Sequence, residues 1–178
     1  MFEFRPSLYL LKSTAEKGQL NTITDETAQH RTGTVFYDST NDKTYVYVEN
    51  SISDAVTANA PYMVSAMSDA SGVTEVKLAA VSNLPVVNGY FAVPPVAIPG
   101  DYFGWVQIQG KNPAVSGLVS EARTAGGQVV VSTDGTFAYL TATAWGVNEN
   151  AVAYVAVANT AAGVTGNLDI IGREITGA

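Results

Sequence analysis

A length of 178 residues is enough for one domain with a sizeable core, and 47% of the residues are hydrophobic whereas only 14% are charged. The net charge of −7 excludes the basic surface that binding to nucleic acid or to an anionic membrane requires. The absence of cysteine excludes a disulfide framework, a thiol nucleophile and a cysteine-based zinc site. With no signal-peptide pattern and no apolar run near ~20 residues, we expect a soluble protein made in a cytoplasm.

Residues 1–33 differ from the rest of the chain, and we predict that they form an extended N-terminal arm. Pro6 interrupts the apolar start of this segment, and a polar stretch with much of the chain's charge follows. The pattern also allows a short helix over Thr24–His30, with Thr24 as its N-cap. We expect the apolar tip to dock on this domain or on a neighbouring subunit, or else to fray. The apolar residues of the tip are Phe2, Phe4, Leu8, Tyr9, Leu10 and Leu11.

The next segment predicts a β-hairpin, because two strand-forming runs flank a loop of turn-forming residues. Val46 and Val48 fall on one face of its second strand, and Tyr45 and Tyr47 fall on the other. A tyrosine face of this kind indicates packing with hydrated phenol groups or, less commonly, a stacking platform for a ligand. The two predicted strands are Thr34–Asp38 and Thr44–Glu49.

The middle of the chain predicts short strands only, because prolines at positions 85, 94, 95 and 99 interrupt it. Thr74–Ser82 alternates charged and apolar residues in the manner of a strand with one exposed face. Tyr90–Val93 is a second short strand, which ends at a pair of prolines.

A central strand over Tyr102–Gln109 follows a Pro-Gly-Asp turn and ends at Gly110. Val106 and Ile108 lie on one face, which we predict to be buried. The other face, predicted to be the less buried one, carries Trp105, Gln107 and Gln109. A single tryptophan within a strand most commonly fills a core.

The last third predicts a second hairpin and a buried strand. Gln128–Ser132 and Thr136–Thr141 flank an Asp-Gly turn. Ala151–Ala158 is apolar on both faces, as in a strand that lies between two layers or beneath another subunit. Many short strands separated by Gly, Pro, Asn and Asp predict an all-β domain over residues 34–178, either a sandwich or a barrel of short antiparallel strands.

No catalytic, cofactor-binding or metal-binding residue is predicted from the sequence. His30 is the single histidine, and we expect it to be exposed and without function. There is no nucleophile elbow and no phosphate-binding loop. Asp101 and Asp134 occupy turn positions that explain them without catalysis. The acidic loop Asp38–Asp42 is a remote candidate for a surface metal site, although it equally fits a hairpin loop.

An aromatic cleft for carbohydrate is an alternative that composition leaves open. The side chains that would stack on a sugar or bond to it are Trp105, Tyr102, Tyr45, Tyr47, Gln107 and Gln109. Trp145 lies in a loop-like sequence and is the more exposed tryptophan candidate.

Several strand and turn patterns occur in a fixed order in the second half of the chain. They are Gly104–Gly110 (G-x-V-Q-x-x-G), Gly126–Ser132, Asp134-Gly135 and Ala151–Ala158, preceded by Thr44–Asn50 with TANAPYMVSA after it. In this order they resemble small virion structural proteins of tailed bacteriophages, and above all the capsid decoration or cement proteins on the outside of the head.

That resemblance implies a β-rich subunit without enzymatic activity, made in the host cytoplasm and placed on the capsid surface. It implies that the chain clamps neighbouring major capsid proteins, commonly as a homotrimer. We expect the interface to use the apolar tip of the arm together with Val152 and Tyr154. The alternatives are another virion component (a tail, neck or fibre protein) and a carbohydrate-binding β-module, and an enzyme is the poorest fit.

Overall fold

The computed structural model of the chain describes residues 24–52, 54–68, 74–79, 89–116, 125–131, 137–140, 151–156, 166–172 and 174–175. These residues form β-strands and no helix, which confirms the all-β prediction. Accordingly, they include no helix long and apolar enough to cross a membrane. The strands are β1 (Val35–Asp38), β2 (Lys43–Asn50), β3 (Tyr62–Ser68), β4 (Thr74–Ala79), β5 (Gly89–Ala92), β6 (Phe103–Val115), β7 (Gln128–Val131), β8 (Phe137–Leu140), β9 (Ala151–Val155), β10 (Gly166–Ile171) and β11 (Glu174–Ile175).

Five strands close into a small barrel, with the neighbours in the order β5-β3-β4-β2-β6. An antiparallel bridge between Val93, directly after β5, and Gln107 of β6 joins the two ends of this order. The strand pairs are antiparallel except that β2 and β4 run parallel. β-branched side chains pack well on pleated surfaces, and they dominate the barrel interior. The interior residues are Val35, Val46, Val48, Val56, Val64, Ala92, Ile98, Val106 and Ile108.

The second part of β6 and the strands β10, β9, β7 and β8 form a second layer, which we call the wing, whereas β1 and β11 pair with the barrel strands β2 and β5. β6 is 13 residues long, and only its first part belongs to the barrel. Its second part pairs with β10, from which the sheet continues as β9, β7 and β8. The inner face of the wing packs against Met63 of β3 and Phe91 of β5. The chain therefore combines the two predicted architectures, since the same sheet closes as a barrel and then folds over it as a layer.

Gly110 marks the point where β6 passes from the barrel to the wing. Its φ of +92° is strained for residues with a side chain. A Cβ atom at this position would also collide with the carbonyl oxygen of Asp42 in the β1–β2 loop. Glycine is therefore required here for two independent reasons.

The buried Gln107 side chain satisfies the backbone around that bend. Its Nε2 donates to the carbonyl oxygens of Gln109, Gly110 and Lys111 at 3.1, 2.9 and 3.3 Å. Its Oε1 accepts a hydrogen bond from Nδ2 of Asn112 at 3.1 Å. Buried carbonyl groups that leave a strand ladder need such partners.

Both predicted hairpins are confirmed. β1 pairs with β2 and β7 pairs with β8, each in antiparallel register. The burial predicted for the central strand is wrong on one face. Trp105 is buried there because the rings of Phe36 and His30 pack against it, and Gln107 is only 2% exposed. Gln109 on the same face is exposed, as predicted. The core role predicted for Trp105 is confirmed.

Candidate functional site at the root of the arm

Residues 24–33 lie on the outer face of the barrel, and we call them the arm root. They contain no helix, so the short helix allowed over Thr24–His30 is wrong. Asp25 instead forms an antiparallel bridge with Phe103, the first residue of β6. The Asp25 N–H donates to the Phe103 carbonyl at 2.9 Å, and the Phe103 N–H donates to the Asp25 carbonyl at 2.8 Å. Because the N–H and the carbonyl of Asp25 are both hydrogen-bonded to the edge of β6, they are not available for the hydrogen bonds of a helical turn.

A tight turn fixes the other end of the arm root. The backbone N–H and the Oγ1 of Thr34 both donate to the carbonyl oxygen of Arg31, at 3.0 and 2.6 Å. Gly33 has a φ of +84° and donates its N–H to the Tyr47 carbonyl at 2.7 Å. The Tyr47 N–H in turn donates to the Thr34 carbonyl at 2.9 Å. The arm root is thus hydrogen-bonded to the barrel at both of its ends.

The Tyr47 hydroxyl lies between these two ends. It donates to Oδ2 of Asp25 at 2.7 Å and accepts the N–H of Gln29 at 3.1 Å. Burial, and next the hydrogen bond to Asp25, raise the pKa of Tyr47, although the backbone groups of Gln29 and His30 oppose that rise. The phenol therefore remains a neutral donor at physiological pH, and its two hydrogen bonds hold the arm root against the barrel.

Aromatic rings surround this hydroxyl in a cluster made of Phe36, Tyr45, Tyr47 and Trp105, with Phe103 packed against it. The His30 ring meets Tyr47 edge-on, with the ring centres 5.1 Å apart, and lies 5.3 Å from the centre of Trp105. His30 is half-buried by these contacts, so the prediction of an exposed histidine is wrong. Burial, and next the negative charge of Asp38, raise the pKa of Tyr45 to about 12.

The cluster is a packing site rather than a sugar platform. Tyr45, Tyr47, Trp105 and Gln107 are all buried, so the stacking surface proposed from them is wrong. Tyr102 packs partly buried against the barrel core. Trp145 lies outside the described residues.

The acidic hairpin loop has the geometry of a turn. Oδ1 of Asp38 accepts the N–H of Thr40 at 3.0 Å, and its Oδ2 accepts Nδ2 of Asn41 at 2.6 Å. Asp42 Oδ1 accepts the Tyr37 hydroxyl at 2.7 Å. Over the described residues, no group of three side chains is arranged to hold a metal ion. These carboxylates therefore shape the loop, as the hairpin interpretation predicts.

Of the residues predicted for the interface, the structure describes Val152 and Tyr154. Phe2, Phe4, Leu8, Tyr9, Leu10 and Leu11 lie outside the described residues. Val152 is 2% exposed and packs in the core between barrel and wing, so its side chain cannot reach a partner. Tyr154, which follows on the same strand, is 42% exposed. β9 is thus buried except at Tyr154. The cover by another subunit that the sequence also allows for this strand stays a prediction.

Sequence reasoning missed the Asp25–Tyr47 contact and the Gln107 network. Asp25 is one of several acidic residues in a polar segment, and nothing in that pattern shows which of them reaches the barrel. Gln107 alternates with apolar residues in the manner of a solvent-facing position. A detectable signal was the tyrosine pair on β2, since two bulky rings on one face call for a covering segment.

No protein-family model and no curated protein matches the sequence. Among solved structures, the chain is similar to the head fiber gp8.5 N base in bacteriophage phi29. The two share 14% sequence identity and a TM-score of 0.40 over 74% of this chain and 98% of that one. At this TM-score the similarity assigns neither a detailed fold nor a function to this chain.

Proposed function

We propose that this chain is a structural component of a bacteriophage virion that acts without catalysis. In this proposal it binds the outside of the capsid and contacts the major capsid protein, and copies of it associate with one another, as a homotrimer, to hold neighbouring capsid subunits together. The arm residues before position 24 would reach the adjacent subunit.

The observation that carries the proposal is the anchoring of the arm root. Paired backbone hydrogen bonds between Asp25 and Phe103, and a hydrogen bond from the hydroxyl of Tyr47 to Asp25, hold the arm root against the barrel. A tether transmits load between subunits only if its base is fixed to a folded domain. Because the arm root is hydrogen-bonded to Phe103 of β6 and to Tyr47 of β2, a force on the arm would be transmitted to the sheet.

Composition and sequence pattern support the same proposal. A content of only 14% charged residues suits a protein whose surface is largely covered in an assembly. The strand and turn patterns from Gly104 to Ala158 resemble those of capsid decoration proteins. These patterns are those of structural strands and turns, and they fit a protein whose role is to bind other virion subunits.

The first test is the location of the protein in purified virions of a phage that encodes it. We expect gold-labelled antibody against the chain to decorate the outside of the head in electron micrographs. Labelling confined to the tail, neck or fibres would favour the alternative virion positions. Absence of the chain from virions that were purified intact would overturn the proposal.

The second test separates the arm from the domain. Heads assembled with a chain lacking residues 1–11 should release DNA at a lower temperature than heads assembled with the full chain. A chain of full length with serine at Phe2, Phe4 and Leu8 is the matched control for length. If its heads are as heat-labile as those with the deletion, the apolar contacts of the tip carry the effect. Unchanged heat resistance in both would contradict the clamping role of the arm.

A further inference from the structure

Four residues on neighbouring strands form a row across the outer face of the wing. Asp169 of β10 pairs with Lys111 of β6 on one side and with Tyr154 of β9 on the other. Tyr154 in turn pairs with Gln128 of β7. Side chains of directly paired residues lie on the same face of a sheet, about 5 Å apart. We call Lys111, Asp169, Tyr154 and Gln128 the outer row.

The hydrogen-bonding groups of the outer row have no partner within the part of the chain that the structure describes. Lys111 is exposed, Tyr154 is 42% exposed, and Asp169 and Gln128 are half-buried. In that part of the chain none of the four side chains makes a hydrogen bond or an ion pair. The buried tyrosine and glutamine of the barrel, in contrast, have specific partners. A tyrosine flanked by unpaired polar groups on a sheet face is suited to binding.

The charge of the chain shows which partner suits this face. On the described parts of the wing, at residues 111–116, 125–131, 137–140, 151–156 and 166–172, the charged residues are one lysine, Lys111, and one aspartate, Asp169. The barrel side is acidic over the described residues. Its basic residues Arg31, Lys43 and Lys77 are outnumbered by the acidic residues Asp25, Glu26, Asp38, Asp42, Glu49, Asp54, Glu75 and Asp101. Two copies of a chain with a net charge of −7 repel one another over an acidic surface. The wing is the described face on which they can meet without that repulsion.

We propose that the outer row is the self-association surface and that its occupant is a second copy of this chain. Lys111 of one copy faces Asp169 of the partner subunit, and Tyr154 is buried beside them. Because each copy carries both charges, Lys111 of each copy can face Asp169 of the next around a threefold axis, so the contact forms three times in the proposed homotrimer. Tyrosine in the centre of an interface contributes a large apolar area together with a hydroxyl group. This inference rests on the self-association in the proposed function and names its surface.

Charge reversal tests the pairing directly. Lys111→Glu alone and Asp169→Lys alone each place like charges opposite one another. Each should weaken self-association at least about tenfold in sedimentation equilibrium. The double variant Lys111→Glu with Asp169→Lys restores opposite charges, and its dissociation constant should return to within about threefold of the wild-type value. Thermal unfolding followed by circular dichroism establishes that each variant is folded.

Matched controls carry the same changes in charge on the barrel side. Lys43→Glu and Asp54→Lys alter net charge as the two test variants do, at positions away from both the wing and the arm root. They should leave the dissociation constant unchanged if the local pairing matters more than the overall charge. Tyr154→Ser should weaken association without a change in fold, because it removes the ring and keeps a hydroxyl.

Other outcomes would overturn the inference. These are a wild-type chain that stays monomeric at all concentrations, single reversals no worse than their controls, and a double variant that fails to associate. Binding of an oligosaccharide by the monomer that is lost in Tyr154→Ser would assign the outer row to a sugar instead. Co-sedimentation with phage heads separates this inference from the proposed function. Self-association through the outer row without binding to heads would overturn the function alone, and binding to heads that is insensitive to both reversals would overturn the inference alone.

Discussion

The barrel and the wing use similar residues in opposite ways. On the barrel, Tyr47 and Gln107 alternate with valine and isoleucine, yet both are buried and hydrogen-bonded within the chain. On the wing, Tyr154 alternates with buried residues and points to solvent. The difference lies in what covers each face, since the arm root lies on the barrel and the described residues leave the outer row open. An alternating tyrosine therefore indicates a strand but does not indicate a site.

Asn50 illustrates the same internal use of polar groups in the barrel. This fully buried residue donates through Nδ2 to the carbonyl oxygens of Asp54, Ile98 and Pro99 at 3.0, 2.9 and 3.0 Å. Its Oδ1 accepts the N–H of Ile52 at 3.0 Å. One side chain thus joins the loop after β2 to the turn before β6. Polar residues of the barrel stabilise the fold, whereas the side chains of the outer row make no hydrogen bond to a described residue.

Replacing one large aromatic residue in each region should give the widest difference. Trp105→Ala empties part of the aromatic cluster and should lower the free energy of unfolding by about 3–5 kcal/mol. Tyr154→Ala removes an exposed ring and should change it by no more than about 0.5 kcal/mol in the monomer. Urea denaturation at a concentration where the chain is monomeric measures both. Equal losses would contradict the division into a packed barrel and an open wing face.

A comparison of two glycines with positive φ, Gly126 and Gly110, distinguishes the cost of backbone strain from the cost of a steric collision. Gly126 has a φ of +81°, and no atom lies within 4 Å of an added Cβ. Gly126→Ala should therefore lower the free energy of unfolding by about 1–2 kcal/mol, through backbone strain alone. Gly110 has a similar φ, and an added Cβ there would also collide with the Asp42 carbonyl oxygen. Gly110→Ala should therefore lower the free energy of unfolding by about 3 kcal/mol or more. Denaturant unfolding of both variants gives the difference. Similar losses of unfolding free energy in the two variants would mean that the backbone at the junction of barrel and wing shifts to accommodate the added Cβ.

Two tyrosine–aspartate hydrogen bonds of equal length differ in burial. Tyr47 donates to Asp25 at 2.7 Å beneath the arm root, and Tyr37 donates to Asp42 at 2.7 Å while 46% exposed. Tyr47→Phe leaves a carboxylate and a backbone N–H without this partner and should lower the free energy of unfolding by about 1–2 kcal/mol. It should also speed proteolysis near residue 30, whereas Tyr37→Phe should change neither measurement. Equal effects would show that burial does not decide the strength of the contact.

Alkaline titration should report on the burial of Tyr45 in the barrel. The pKa of Tyr45 rises from 10.0 to about 12 on folding, so the unfolded chain loses its phenolic proton first. Stability should therefore be complete below pH 10 and should decrease as the pH rises from 10 to about 12. Tyr45→Phe should reduce the slope of the unfolding free energy against pH by the contribution of up to one proton. Unfolding midpoints in urea at pH 9, 10 and 11 suffice for the comparison.

Much of the fold follows from local pattern. Val46 and Val48 alternate with Tyr45 and Tyr47 and predict β2 with its two faces correctly, because side-chain direction in a strand has a period of two. The Asp-Gly turn likewise predicts the pairing of β7 with β8. Strand order is different, since β2 lies between β4 and β6, which are far apart in sequence.

The sequence by itself determined an all-β chain and its hairpins, and it favoured a core role for Trp105. Only the tertiary structure decided that Gln107 is buried, that Val152 faces a core while Tyr154 faces solvent, and that Asp25 reaches Tyr47. The physical reason is that alternation reports which side of a strand a residue occupies, and it carries no information about what lies over that side. Burial depends on segments distant in sequence, such as residues 24–33 on β6, and their arrival is a property of the whole fold.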